Sequence, residues 1–295
     1  MKKRNESIRR VGLAANSQKT VSRALIQRAA RLIRRSGRAL FCDAATAQLA
    51  GLSCPQFADT RELARRVDVL LVFGGDGTML RVARDTAGLT TPILGVKVGG
   101  LGFLTAVQND QLPDALEKIW TGHFSTDARR LIEARIETRP SVPSHLALND
   151  VVLGRGDVFR LIDLAVSVDD EFLTQYRCDG LIISSPTGST AYSLAAGGAI
   201  VSPKADVLTL TPICPHTLSN RSVIVNSRSI VRVKVVSRTV QTILTADGQV
   251  QTPLEPGDVV HLSQSRHSIR LLRLEGSAFF ATLRQKLNWS GSSVH

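Results

Sequence analysis

RVDVLLVFGGDGTML, residues Arg66–Leu80, decides the fold. Arg66–Phe73 is an apolar run of strand length, Met79–Thr86 reads as a helix ended by Gly88, and Pro92–Val98 reads as the next strand. A strand, a helix and a second strand in this order make a βαβ unit, which implies parallel pairing. Upstream, VGLAAN (Val11–Asn16) reads as a first core strand. Val21, Leu25, Ile26, Ala29, Leu32 and Ile33 then recur at helical spacing up to a stop at Gly37, and ALFCD (Ala39–Asp43) is a second strand. The first part of the chain is therefore an α/β domain.

After about Thr126 the texture changes to runs that alternate apolar and polar residues between turns: LIEARIET, HLALNDVVL, LIDLAVSVDD, SIVRVKVV, DVVHLSQS and SIRLLRL. This half is β-rich and antiparallel. The final AFFATLRQKLNW (Ala278–Trp289) returns to helical periodicity and is expected to pack back on the first domain. The expected division is an α/β domain at 1–126 with 275–295, and a β-rich domain at 127–274, with the cleft between them as the natural ligand site.

The 295 residues are 43% hydrophobic, enough for two cores, and no apolar stretch reaches the length of a membrane span. MKKRNESIRR lacks the features of a secretory signal, so the expectation is a cytoplasmic protein. Cys42, Cys54, Cys178 and Cys214 form no CxxC pair and read as reduced, mostly buried thiols; the six histidines form no HExxH pattern, and no structural metal is implied. A formal net charge of +12 favours polyanionic partners, yet aromatics are only 4% and no nucleic-acid module is present, so no specific nucleic acid is expected. The basic runs MKKRNESIRR and Arg28–Arg38 read most simply as a solvated helix face and its flanks.

Gly74, Gly75 and Gly77 stand where a strand turns into a helix, a place suited to phosphate, but the spacing matches neither a Walker loop nor GxGxxG. Asp76 among them would repel a bare phosphate. It makes sense if it holds Mg²⁺ or accepts a proton from a hydroxyl that attacks one; the plain alternative is a turn or helix-cap residue. VGGLGFL (Val98–Leu104) supplies a second glycine edge one strand later. In CDGLIISSPTGSTAYSLAAGG (Cys178–Gly198) a strand runs into a hydroxyl-rich turn that either caps a helix through AYSLAA or grips phosphate or ribose, with Tyr192 walling a base.

Together GGDGT, LND, DGLIISSPTGSTAY, AGG, TPICPHTLSNR, ADGQ and FFATLRQKLNW resemble, in order and over nearly the whole chain, the NAD kinase family. The long SPTGSTAY and PICPHTLSNR segments are the specific ones; related GGDGT loops occur in lipid kinases and 6-phosphofructokinases. The resemblance implies an N-terminal Rossmann-like α/β domain, a C-terminal β-rich domain, and transfer of the ATP γ-phosphoryl group, with Mg²⁺, to the adenosine ribose 2′-hydroxyl of NAD, in a homodimer or homotetramer. It implies Asp76 as the proton acceptor, and Gly77 and Arg81 along the dinucleotide. Asn149 and Asp150 would hold ribose and base. Arg160, Arg177, Asp179, Thr187, Thr190, Ala191, Tyr192, Ser193, Leu194 and Ala195 are further dinucleotide contacts by position, and Gln249 would reach the ligand across a subunit boundary. The Asp247-Gly248 turn before it reads otherwise as a hairpin.

Four residues depart from the family pattern: Asp150 stands for a glutamate, Ala195 for a common serine, Lys97 for the usual asparagine, and Ala199 for a common proline. A cation at Lys97 either aids ATP or polyphosphate binding or pairs with Asp76. The rival readings are a lipid or sugar kinase that shares the GGDGT loop, and a dinucleotide sensor without catalysis.

Overall fold

The computed structural model describes residues 8–16, 22–98, 102–156, 160–217, 220–276 and 279–289. The chain divides into two compact units, Met1–Ala128 with Ile269–His295, and Arg129–Ser268.

In the first unit strands and helices alternate: β1 (Arg10–Ala15), α1 (Arg23–Arg35), β2 (Ala39–Asp43), α2 (Ala44–Ala50), β3 (Gln56–Phe57), α3 (Thr60–Arg66), β4 (Val69–Gly74), α4 (Asp76–Asp85), β5 (Pro92–Lys97) and α5 (Leu112–Trp120). Strand β1 pairs in parallel with β2 and β4, β4 with β5, and β2 with β3, while the chain's last strand joins β5 with Arg270 opposite Pro92. Every residue of β4 is buried, as a central parallel strand covered on both faces requires. On α1, Leu25, Ile26, Ala29, Ala30 and Ile33 form the buried stripe; Arg31, Arg34 and Arg35 face water, so this basic run is a solvated helix face. Gly37, at φ 73°, ends that segment in the left-handed conformation a glycine adopts freely. The other basic run lies largely outside the described residues.

Local chemistry moved several boundaries. Arg66 closes α3, and the Asp68 carboxylate accepts the Arg9 and Arg10 amides at 2.9 and 2.8 Å, so β4 starts at Val69 rather than Arg66. Helices α2 and α3 have only seven residues each, too short for a clear apolar period, and are set by side-chain caps: Asp43 on the Thr46 amide and Asp59 on the Glu62 amide, both 2.7 Å. Helix α4 begins at Asp76, three residues before the run of apolar residues that announces it.

The second unit is built from strands β6 (Phe124–Ile136), β7 (His145–Ala147), β8 (Asp150–Arg155), β9 (Ile162–Val168), β10 (Glu171–Cys178) and β11 (Gly180–Ser184), a four-residue helix α6 (Tyr192–Ala195), then β12 (Val207–Ile213), β13 (Val223–Asn226), β14 (Val231–Val235), β15 (Thr242–Ala246), β16 (Val250–Leu254) and β17 (Val259–Leu274). Strands β6 and β17 each begin in one unit and end in the other; helix α7 (Phe279–Lys286) belongs to the first unit, where Leu283 is buried. DVVHLSQS and SIRLLRL are thus one long strand. Two antiparallel sheets result, in the orders β10-β9-β14-β17 and β13-β12-β11-β8-β15-β16. Leu164, Val166, Val233 and Val260 from the first meet Leu153, Leu181, Ile183 and Leu244 from the second in one apolar cluster. This is the alternation of inward apolar residues expected of packed sheets.

Among the described residues no helix is long and apolar enough to cross a membrane. All four cysteines are free, but only Cys42 and Cys178 are buried; Cys54 is half-buried and Cys214 exposed, so the expectation of mostly buried thiols holds for two of the four.

Candidate active site

In the first unit a candidate cluster grows from the carboxyl end of the parallel sheet, the edge at which open α/β sheets bind ligands. Strand β4 ends at Gly74, Gly75 takes the helix-cap position in an extended conformation, and Asp76 is the first residue of α4. The Asp76 side chain is neither a cap nor a local turn. Its Oδ2 accepts the Phe103 amide at 2.8 Å and its Oδ1 the Leu104 amide at 3.1 Å, 27 and 28 residues away. Gly102 lies so close that a Cβ there would collide with Asp76 Oδ1. The two glycine edges read from the sequence therefore meet on this carboxylate; Gly99, Gly100 and Leu101 of the second lie outside the described residues. With one amide on each oxygen, the partly exposed carboxylate keeps acceptor capacity on both.

Gly77 is exposed beside it. Arg81 is committed within its own unit: its guanidinium donates to the Ala15 carbonyl at 3.1 Å and to Asp85 at 3.2 Å. Burial raises the Asp85 carboxyl above the ordinary carboxylate range, against the lowering pull of Arg81. Lys97, opposite Gly74 across the β4–β5 ladder, makes no ion pair with Asp76, which removes one of the two readings offered for it.

In the second unit the LND loop is held by a residue that sequence reasoning treated only as part of a hairpin. Asp247, with φ 51°, turns its carboxylate onto the loop: Oδ2 accepts the Leu148 amide at 3.0 Å, and Oδ1 accepts the Asn149 amide at 2.8 Å and the Asp150 amide at 3.4 Å. The hairpin is also real, since Gly248 has φ 64° and β15 pairs with β16 in antiparallel. The visible signal was Asp-Gly, which explains the turn but not the three amides. Ser185 completes the cradle, its hydroxyl donating to the Leu148 carbonyl at 2.6 Å and its amide to the Asn149 carbonyl at 2.8 Å. Gly188 packs where a Cβ would strike the Asn149 carbonyl oxygen. The Asn149 side chain, half-buried, makes no hydrogen bond with a described residue.

Asp150 is only 5% exposed, and its carboxyl is pushed up to about 7, first by burial and then by the negative charge of Asp247. It titrates near neutrality, able to donate a proton in one state and accept one in the other. Thr187 Oγ1 accepts from Arg129 Nη1 at 2.9 Å; Arg129 is 4% exposed and nothing in its sequence context distinguishes it from its neighbouring strand-surface charges. The expected helix through AYSLAA is a single 3-10 turn at Gly188–Thr190 followed by the short α6. It leaves Tyr192 48% exposed, Leu194 half-buried and Ala195 exposed. Thr190 and Ala191 are half-buried beside them. Ser193 is turned inward: fully buried, its hydroxyl meets Thr211 Oγ1 at 3.0 Å.

The sheet separates the remaining residues. Asp150 pairs with Ser184 at one end of β8 and β11, and Gly154 with Gly180 at the other. Asn149, Asp150, Thr187 and the Asp247 turn with exposed Gln249 therefore share one end. Asp179 lies beyond the opposite end, about 17 Å away at the rise of an extended strand, with exposed Arg177 next to it at the end of β10. There Asp179 Oδ1 accepts from Arg155 Nε at 2.9 Å. Arg160 is exposed, two residues before β9.

The profile of the ATP-NAD kinase N-terminal domain matches residues 9–124, and that of the ATP-NAD kinase C-terminal domain matches residues 148–274. The NAD kinase of Syntrophotalea carbinolica is 43% identical over 87% of this chain and 90% of its own length. That of Moorella thermoacetica is 40% identical over 97% of this chain and 91% of its own. The crystal structure of yeast NADH kinase complexed with NADH superposes with a TM-score of 0.88 at 25% identity, covering 98% of this chain and 89% of that one.

Proposed function

This chain belongs to the NAD kinase family, and from that premise we propose how the residue clusters of its two units divide the work of phosphorylating NAD. The activity is that of a phosphotransferase with an alcohol acceptor; NAD is the substrate and NADP the product. The alternatives of a lipid or sugar kinase and of a silent sensor have no observation in their favour.

In this reading Asp76 accepts the proton of the adenosine ribose 2′-hydroxyl as that oxygen attacks the γ-phosphorus of ATP, the bond from that phosphorus to the β–γ bridging oxygen breaks, and ADP leaves. The observation that carries it is the double anchoring of the carboxylate on the Phe103 and Leu104 amides at the sheet's carboxyl edge. A carboxylate is a weak base toward an alcohol. In a loose phosphoryl-transfer transition state the proton leaves late, so an acceptor fixed in position matters more than a strong one. The amides fix it, and Gly102 lets the loop approach closely enough to do so.

The LND cradle binds the nucleoside: Asn149 offers an unspent amide, Asp150 a carboxyl that donates or accepts, Thr187 and Thr190 hydroxyls, and Tyr192 an exposed ring face for a base. Ser193 acts through its backbone, since its side chain is bonded inside. Arg81, Arg160, Arg177 and Asp179 stand as dinucleotide contacts by family position alone. The distance of Arg177 and Asp179 from the cradle within the second unit accords with a homo-oligomer in which one subunit completes another's site, and Gln249, exposed at the cradle's own end of the sheet, would reach a neighbouring subunit's ligand by family position. A cytoplasmic location accords with the family.

Among the described residues no three histidine, cysteine or carboxylate groups converge to hold a metal. Mg²⁺ fits this chain as a companion of the nucleotide's phosphates, which it binds readily with few protein ligands, and it neutralises their charge when bound. The test is product analysis of the purified protein with NAD, ATP and Mg²⁺, with sphingosine offered in parallel. NADP formation alone supports the reading, and phosphorylation of the lipid alone defeats it.

A further inference from the structure

Two of the four free cysteines lie together in the first unit, and the phosphoryl-transfer reaction uses neither. Cys42 is on β2 and fully buried, in the same apolar core as Leu25, Ile26 and Ile33 of α1. Cys54 stands between α2 and β3, half-buried and packed against that core. The backbone sets the two side by side. Strand β3 pairs in parallel with β2, with Gln56 opposite Cys42, and the Cys42 amide donates to the Pro55 carbonyl at 3.2 Å. Adjacent strands lie ~4.8 Å apart. Cys54 comes two residues before Gln56 and packs on the core to which Cys42 belongs, so both sulfurs lie on one face of the sheet. There the two thiols face each other as a hydrogen-bonded pair.

The surroundings give the two sulfurs different parts. Burial, and then the neighbouring Cys54, push the Cys42 thiol well above its ordinary range, while the charge of Arg34 pulls the other way. Cys42 is thus a shielded thiol that keeps its proton. Cys54 is reached by solvent, and the Arg34 guanidinium is fixed beside it by a hydrogen bond to the Ser53 carbonyl at 2.6 Å. A partly exposed sulfur next to a cation is where oxidants act on a protein.

We propose that Cys42 and Cys54 are a modification site, an oxidisable dithiol that a peroxide converts reversibly into an intramolecular disulfide across α2. Cys54 reacts first: its sulfur attacks one peroxide oxygen, the O–O bond breaks, water leaves with the thiol proton, and a sulfenic acid remains. The Cys42 sulfur then attacks the Cys54 sulfur, the S–O bond breaks, and the hydroxyl leaves as water with the Cys42 proton. Two thiols have given up two electrons, and one hydrogen peroxide has become two waters. A dithiol reductant restores both thiols by exchange. The site is read without NAD and without turnover, so it stands or falls separately from the role given to Asp76.

The test reads a single peptide. No lysine or arginine lies between Arg38 and Arg61, so trypsin releases both cysteines together in residues 39–61. The folded full-length chain is treated with hydrogen peroxide, its remaining thiols are alkylated in urea, and the peptide is weighed by mass spectrometry. It should lose two hydrogens and take up no alkyl group, and dithiothreitol before alkylation should return it to the doubly alkylated form. In Cys54→Ser the same dose should leave Cys42 a thiol that is alkylated once, because the buried sulfur has lost its route to the oxidant. Oxidation of exposed Cys214 shows in each run that the peroxide acted. A wild-type peptide that stays doubly alkylated while Cys214 is oxidised overturns the site. So does one that gains oxygen on Cys54 and forms no cross-link, or a Cys42 that oxidises in Cys54→Ser as fast as in the wild type.

Discussion

Replacing Asp150 by asparagine should stabilise the protein above neutral pH and do nothing at pH 4. The side chain is 5% exposed, and its carboxyl is raised from 3.8 to about 7 by burial and by Asp247. Between those two values the folded chain holds a proton that the unfolded chain has released. The advantage of the protonated folded form is therefore full below 3.8, and it is lost as pH rises to 7 and beyond. At ~1.4 kcal/mol per pH unit that gap amounts to about 4 kcal/mol of lost stability at pH 8, an upper bound on what the isosteric, uncharged Asp150→Asn recovers. Urea unfolding followed by circular dichroism at pH 4, 6 and 8 measures it. The difference between variant and wild type should open progressively with pH. A gap of the same size at pH 4, or none at pH 8, would refute the reasoning, the first pointing to packing rather than charge.

Asp247→Asn removes one of the two oxygens that hold the LND amides, and a lost charge-assisted contact of ~1.5–3 kcal/mol should weaken NAD binding by about tenfold or more, as read by calorimetry. Unaltered NAD affinity would mean that the loop stands without it. Gly102→Ala drives a methyl group into the Asp76 carboxylate, and a displacement of about 1 Å there should lower NADP formation about a hundredfold, with the melting temperature changed by only a few degrees. An alanine variant of full activity would show that the close approach is dispensable.

Much of this architecture is written in periodicity. The stripe Leu25, Ile26, Ala29 and Ile33 announces α1, and ALFCD coincides with β2, because burial on one face or on both leaves a regular trace. What was illegible depends on single polar contacts. Helices α2 and α3 are too short for a period and rest on the Asp43 and Asp59 caps. The early start of α4 follows from glycines and an aspartate that carry no apolar signal.

The site divides in the same way. Asp76 was visible because a lone charge among glycines is odd, whereas its anchoring on the Phe103 and Leu104 amides of the second glycine edge shows only in the fold. Asp247 and Arg129 were not visible as parts of the site, since each acts on a partner far away in sequence: Leu148 and Asn149, 99 and 98 residues from Asp247, and Thr187, 58 residues from Arg129. Ser193 shows the opposite error. Position in a motif says nothing of which way a side chain turns, and this hydroxyl faces Thr211.

The role of Asp76 is tested most directly by Asp76→Asn. The asparagine keeps an oxygen for one of the two loop amides and nearly the same shape, but cannot take up the ribose proton. Initial rates of NADP formation should fall by about a hundredfold to ten-thousandfold, the usual contribution of a positioned proton acceptor, while calorimetry finds NAD bound within a few-fold of wild type. A variant that forms NADP at a rate close to that of the wild type would contradict the account at its centre.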